Sequence, residues 1–277
     1  MPRTIRVGHS PDSDDAFMFY ALAEGLTDTG DLRYSHELQD IETLNRRALN
    51  GELDVTAVSI HAYAYLADRY ALLPSGSSMG DRYGPRLVGL LPGTLGDAAG
   101  RRIAVPGLLT TAYLTLRLAV PEFEAVVVPF DEIEAAVTEG KVDLGLLIHE
   151  GQLTYGESGL SLIADLGEWW FGETGLPLPL GGNVVRKDLG EALMREISRH
   201  LRASIDYALE HRAGALDHAM RFARGLDRAK ADTFVGMYVN EWTRDYGERG
   251  RTAVRALLDR GVQTGIITRP VTVEFVD

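Results

Sequence analysis

The stretch GRRIAVPGLLTTAYLTLRLAV, Gly100 to Val120, decides how this chain folds. Arg102 to Val105 reads as a short strand, and Thr110 or Thr111 opens a helix behind it. Ala125 to Val128 is a strand again. Asp131 with Glu134 forms a capping-box pattern ahead of Ile133, Ala136 and Val137 on one helical face, and Gly140 is the stop. Val142 to Ile148 then completes a βαβαβ unit, the signature of a parallel sheet covered by helices.

The residues before this unit repeat its logic. Thr4 to Gly8 is a first strand, and SPDSDD, Ser10 to Asp15, supplies turn and N-cap residues before AFMFYALAEG. Asp40 caps a helix whose apolar positions Ile41, Leu44, Ala48 and Leu49 share a face, and Gly51 ends it. DVTAVS is the next strand, and Ser59 opens another helix. Two Gly/Pro-punctuated stretches suit domain crossings: LLPGTLGDAAG, Leu90 to Gly100, and LPLPLGG, Leu176 to Gly182. Beyond them the chain is mostly helical. Leu193, Ile197, Leu201, Ile205 and Leu209 form a stripe at fourfold spacing, and further helices are expected near 228–243 and 248–260. These should pack back on the first unit. The expected architecture is α/β with two lobes, residues 1–92 plus 184–277 forming the larger and 93–183 the smaller, and a ligand cleft between them.

Composition narrows the function. Of 277 residues, 45% are hydrophobic and 25% charged, as in an ordinary globular protein. The formal net charge of -12 argues against nucleic acid or an anionic membrane as partner, since both need clustered positive surface. It leaves room for a small-molecule carboxylate held by a few local donors. There is no cysteine, so disulfides, thiolate nucleophiles and cysteine-ligated metals are excluded. No signal-peptide core or membrane-length apolar run is seen, and with Met1 as the start a cytoplasmic location is expected. GxGxxG, Walker A and HExxH are all missing, and no cofactor or metal is expected.

In open parallel sheets, ligands bind beyond the carboxyl ends of the strands, where helix N-termini also point. Four segments bring polar residues there: His9-Ser10, Ser59, Thr110-Thr111 and His149-Glu150. Ser59 and Thr111 taken singly are ordinary N-caps worth about 1 kcal/mol, and Asp14 and Asp15 complement a helix dipole. The coincidence of polar residues at four strand ends turns the balance toward a cleft. Within it His149 stands out. It ends the apolar run LGLLI, so its surroundings should be apolar and its imidazole neutral near pH 7, the form of a usable base. The alternative is a structural plug. Among the seven histidines, His200, His211 and His218 lie on amphipathic helices and read as solvated, and His9 is the only rival. The pair Trp169-Trp170 reads as packing.

The segments HSPDSDDAFMFYAL, DIETLNRRALNGELDVTAVSIHAYAYL, AVPGLLTTAYLTLRL, GLLIHEGQLTY and YVNEWTRDYGERG, in that order, resemble the 1,4-dihydroxy-6-naphthoate synthase family of the futalosine route to menaquinone. The similarity covers nearly the whole chain. It implies a two-lobed fold similar to type II periplasmic binding proteins, and cleavage of cyclic dehypoxanthinyl futalosine to a dihydroxynaphthoate and a three-carbon fragment, with no cofactor. By position it implies His149 as the catalytic base, and substrate contacts at Ala57, Val58, Ser59, Thr111 and Ala112, to which Ser10 and Thr110 are added from the strand-end reading. The chain departs from the family where many members carry SPCPNDTF: it has SPDSDDAF, with Asp12 and Asp14 in place of cysteine and asparagine. Chorismate dehydratase of the same pathway, or a carboxylate-binding protein without turnover, are the other readings.

Overall fold

The structure, a computed structural model, describes residues 2–223 and 226–276. Among the described residues eleven strands run in chain order: β1 (Arg3–His9), β2 (Leu32–Leu38), β3 (Val55–Ser59), β4 (Tyr70–Leu72), β5 (Ser78–Gly80), β6 (Arg86–Gly89), β7 (Arg102–Val105), β8 (Glu124–Val127), β9 (Leu144–Leu147), β10 (Ser161–Asp165) and β11 (Leu178–Arg186). They form two separate sheets. The first has the order β2-β1-β3-β11-β4, with β5 also paired to β11. The second has the order β10-β6-β9-β7-β8. Within it β7 runs parallel to both β8 and β9, so the βαβαβ unit read from Arg102 to Ile148 is present.

The lobe limits differ from the sequence reading. β6 pairs antiparallel with β9, so the first exchange between sheets lies between Gly80 and Arg86. Leu90 to Gly100 is then a loop within the second lobe and not a crossing. The return lies between Asp165 and Leu178, because LPLPLGG is the start of a strand. Pro179 has no N–H to give a ladder, and the β11–β5 register shifts between Pro179 and Gly181. Gly/Pro punctuation marked a sheet irregularity there. The boundaries 92/93 and 183/184 therefore shift to the N-terminal side of both stretches.

Local signals fared unevenly. Asp40 caps Ile41–Leu49, its side chain accepting from Thr43 N at 3.0 Å. The capping box at Asp131 and Glu134 does not form, because Phe130–Glu132 is a 3-10 turn and Ile133–Thr138 begins after it without a side-chain cap. β2, at the edge of its sheet, has a mixed burial pattern with no clean alternation.

The helices cover both sheets. Glu191–Glu210 buries Ile197, Leu201 and Ile205 against Ile5, Val7 and Val55 on one face of the first sheet. Gly247–Gln263 and Ile60–Leu66 close the other face around Tyr63, Tyr70, Leu257 and Val184. The C-terminal third thus packs back on the first lobe. Trp170 is fully buried and its indole N–H donates to Pro177 O at 3.1 Å, so this Trp packs and does not border the cleft.

Candidate active site

The carboxyl ends of β1, β3, β7 and β9 converge on one cleft between the lobes. Ser10, Ala57, Val58, Ser59, Thr110, Thr111, Ala112 and His149 all line it. His9 does not. Its ring stacks on Phe19 at 4.5 Å and its nitrogens meet Ser10 O and His36 Nδ1. Burial, then the neighbouring His36, pushes its pKa to about 3. His9 is a neutral structural residue. His200 and His218 are buried beside Tyr34 and Glu24, so the solvated reading of those two is corrected. Their amphipathic helices turn these rings inward.

β9 hands the chain to His149 with a change of conformation. Its φ of 57° is left-handed, a state that costs a non-glycine residue roughly 1–2 kcal/mol. Backbone held this way is concentrated at functional sites. The turn brings Nδ1 to 2.8 Å from Asp12 Oδ2, across the cleft on the first lobe. Nε2 has no hydrogen-bond partner among the protein atoms. The Phe130 ring meets the imidazole edge-on at 4.9 Å.

The surroundings of His149 are not apolar, and this corrects the sequence reading. Burial alone would lower its pKa, but the charge of Asp12, the hydrogen bond to it, and then Glu150 and Asp14 outweigh that and raise it to about 9. The free protein therefore carries His149 as imidazolium at neutral pH. The apolar run LGLLI lies along the strand, whereas the acids come from SPDSDD on the other lobe, where strand periodicity cannot see them. Burial raises Asp15 to about 7, with the Asp12 charge adding to it and the Ser10 N–H opposing it. Burial, then Asp15 and Asp12, holds Asp14 well above the usual carboxylate range. Both line the cleft, so contact with a helix dipole is not their whole role.

The hydroxyl residues divide. Thr110 is a cap: it accepts from Tyr113 N at 3.2 Å and gives its own hydrogen to Gly107 O at 2.8 Å. Thr111 accepts from His61 N at 3.1 Å and donates to Leu180 O at 2.6 Å, so its single donor is already used. Ser59 makes no side-chain cap. Its Oγ accepts from Asn45 Nδ2 at 3.1 Å, leaving its own O–H to give. The Ser59 hydroxyl and the N-terminus of the helix Thr111–Ala119 are donors on the cleft wall, whereas the Thr111 hydroxyl is already spent on Leu180 O. No Lys or Arg lines the cleft among the described residues, which leaves His149 as its cation.

Sequence reasoning missed the far wall. Gln152 and Tyr238 meet at 2.7 Å, and Gly76, Ser78, Leu180 to Asn183 and Phe234 add to the lining. Tyr238 belongs to a helix remote in sequence, and no local pattern pointed to it. On the hinge side Glu42 Oε2 accepts from Leu109 N at 3.2 Å, and a Cβ on Gly107 would lie 2.4 Å from that same oxygen. A side chain at 107 would push the Glu42 carboxylate away from Leu109 N.

A family model described as menaquinone biosynthesis matches residues 5–263. A protein of Thermus thermophilus called 1,4-dihydroxy-6-naphtoate synthase is 42% identical over 262 residues, 95% of each chain. A Streptomyces coelicolor protein of the same name is 40% identical over 270 residues, again 95% of each. The chain belongs to the menaquinone-biosynthesis family. A family-level backbone is also seen in a solved Archaeoglobus fulgidus protein, 49% identical with a TM-score of 0.91, covering 95% of this chain and 98% of that one. The alkanesulfonate-binding protein of Xanthomonas axonopodis pv. citri, at 15% identity and a TM-score of 0.71 over 98% and 96% of the two chains, shows the fold alone. That fold is the two-lobed periplasmic-binding-protein type. In this member of the family, SPDSDD puts Asp12 directly on His149.

Proposed function

We propose that this protein is a carbon–carbon lyase that converts cyclic dehypoxanthinyl futalosine to 1,4-dihydroxy-6-naphthoate and a three-carbon fragment. The observation that carries the reading is His149, with one ring nitrogen unpartnered, in the interlobe cleft of a chain 42% identical to a curated synthase along nearly its full length. The neutral form of His149 takes a proton from the substrate at Nε2. Fragmentation of the carbon–carbon bond follows, driven by aromatisation of the ring. The electrons of the cleaved bond stay in the products, so the residues present suffice for the proton transfers. A pKa near 9 makes His149 a stronger base than an ordinary histidine, though a smaller fraction is neutral at pH 7. The Ser59 hydroxyl and the first backbone N–H groups of Thr111–Ala119 hold the substrate carboxylate.

A cytoplasmic location belongs to the same proposal and is supported by the biosynthetic relatives. No described helix is long and apolar enough to cross a membrane. With a net charge of -12, a small carboxylate and not nucleic acid or a membrane is the partner we propose. Purified protein incubated with cyclic dehypoxanthinyl futalosine should release the dihydroxynaphthoate, read by mass spectrometry. Bound but unchanged substrate would make the protein a carboxylate-binding protein. Turnover of chorismate in its place would make it the dehydratase.

A further inference from the structure

Asp12 is fully buried, and its surroundings fix it closely. Its carbonyl accepts from Ala16 N at 3.0 Å, and its Oδ2 accepts from the Ser10 hydroxyl. The same Oδ2 lies 2.8 Å from His149 Nδ1. One partner follows β1 and the other follows β9, so the pair is assembled from the two lobes. Taking the proposed lyase reaction as the setting, we infer that Asp12 is a positioning residue, supplied by the opposite lobe, that locks His149 as its Nδ1–H tautomer and turns Nε2 to the substrate.

An ionised carboxylate only accepts. The ring nitrogen facing Asp12 must therefore carry hydrogen, and the lone pair of a neutral ring falls on Nε2. When Nε2 takes a proton, the new positive charge arises beside a fixed negative one, which stabilises it where it forms. Three other acids surround the ring: Asp14, Asp15 and Glu150. Burial biases Asp14 and Asp15 toward their protonated forms, and Glu150 lies 3.4 Å from the Ser13 hydroxyl. Asp12 is the carboxylate that hydrogen-bonds the imidazole. Since the partners sit on separate lobes, separating the lobes would break the pair, and the base reaches full strength only in the closed cleft.

Long-range ¹H–¹⁵N NMR of the histidine side chains in the intact protein, without substrate, tests this directly. Neutral His149 should be the Nδ1–H tautomer and should titrate near 9. In Asp12→Asn the titration should fall by more than about one pH unit and the tautomers should mix. With substrate, kcat should drop roughly 10²-fold with KM within about threefold, the alkaline shift of the rate profile should vanish, and Asp12→Glu should restore part of both. A parental His149 in the Nε2–H form overturns the inference without any variant, even if Asp12→Asn does not fold. So does an Asp12→Asn protein with parental titration and kcat. A parent that shows the expected tautomer but no turnover refutes the lyase reading while leaving the positioning intact.

Discussion

Thr111 Oγ1 donates to the Leu180 carbonyl at 2.6 Å, tying the first turn of a second-lobe helix to β11 of the first lobe. The same oxygen accepts from His61 N. This hydroxyl is an interlobe rivet. Thr111→Val keeps the shape but leaves the buried His61 N–H and the half-buried Leu180 carbonyl without this partner, which should cost about 1–3 kcal/mol in urea denaturation. Ser59→Ala should behave otherwise, weakening substrate binding about tenfold in calorimetric titration with a smaller loss of stability. Equal effects from the two changes would mean that their hydroxyls do the same job.

His149→Asn retains a polar side chain but cannot take up a proton near neutral pH. Turnover should fall by roughly 10² to 10⁴-fold while circular dichroism stays close to parental, and substrate affinity should weaken with the loss of the imidazolium. Near-parental turnover would remove His149 from the chemistry. Since His9 lies outside the cleft lining, Asp15 would be the next residue to replace.

The rate should depend on pH in a defined sense. A base must be unprotonated, and Asp12 and its acidic neighbours hold His149 protonated up to about 9. The value of kcat/KM should climb about tenfold per pH unit over the neutral range and level off near 9. A plateau already reached at pH 7 would show that the imidazole is neutral in the working enzyme.

Stability should move in the opposite direction. An unfolded histidine gives up its proton near 6.5, while the folded His149 keeps it to about 9. Between those values the folded protein holds the extra proton, so its stability falls as pH rises, by up to roughly 1.4 kcal/mol per pH unit. Chemical denaturation at intervals from pH 7 to 9 should show this slope, and His149→Asn should flatten it. Below 6.5 the depressed pKa values of His9, His36 and His61 act the other way.

The larger features of the fold were legible wherever one strand and one helix follow each other. Arg102 to Ile148 and Asp40 to Ser59 carry their own caps and periodicity, so local rules find them. The lobe limits were not, because a strand such as β6 belongs to whichever sheet its distant partner β9 sits in, and its own four residues do not say which. The site followed the same division. Ser10, Ser59, Thr110, Thr111 and His149 line the cleft as their places at strand ends implied, because strand ends are local features. The protonation state of His149 was misread because Asp12 lies 137 positions away in the chain, as remote as Ser13 is from Glu150. What the Thr111 hydroxyl binds likewise depends on Leu180, and no spacing rule connects them.

A cleft lined by Asp12, Asp14 and Asp15 and, among the described residues, by no lysine or arginine, in a molecule of net charge -12, has a kinetic consequence. A negatively charged substrate approaches against the field of the whole molecule and is attracted only at close range, by one imidazolium. Screening therefore helps encounter instead of hindering it. Added salt should speed association, the reverse of a binding surface that steers its anion in from solution, and discrimination among anions then rests on the shape and donors of the closed cleft.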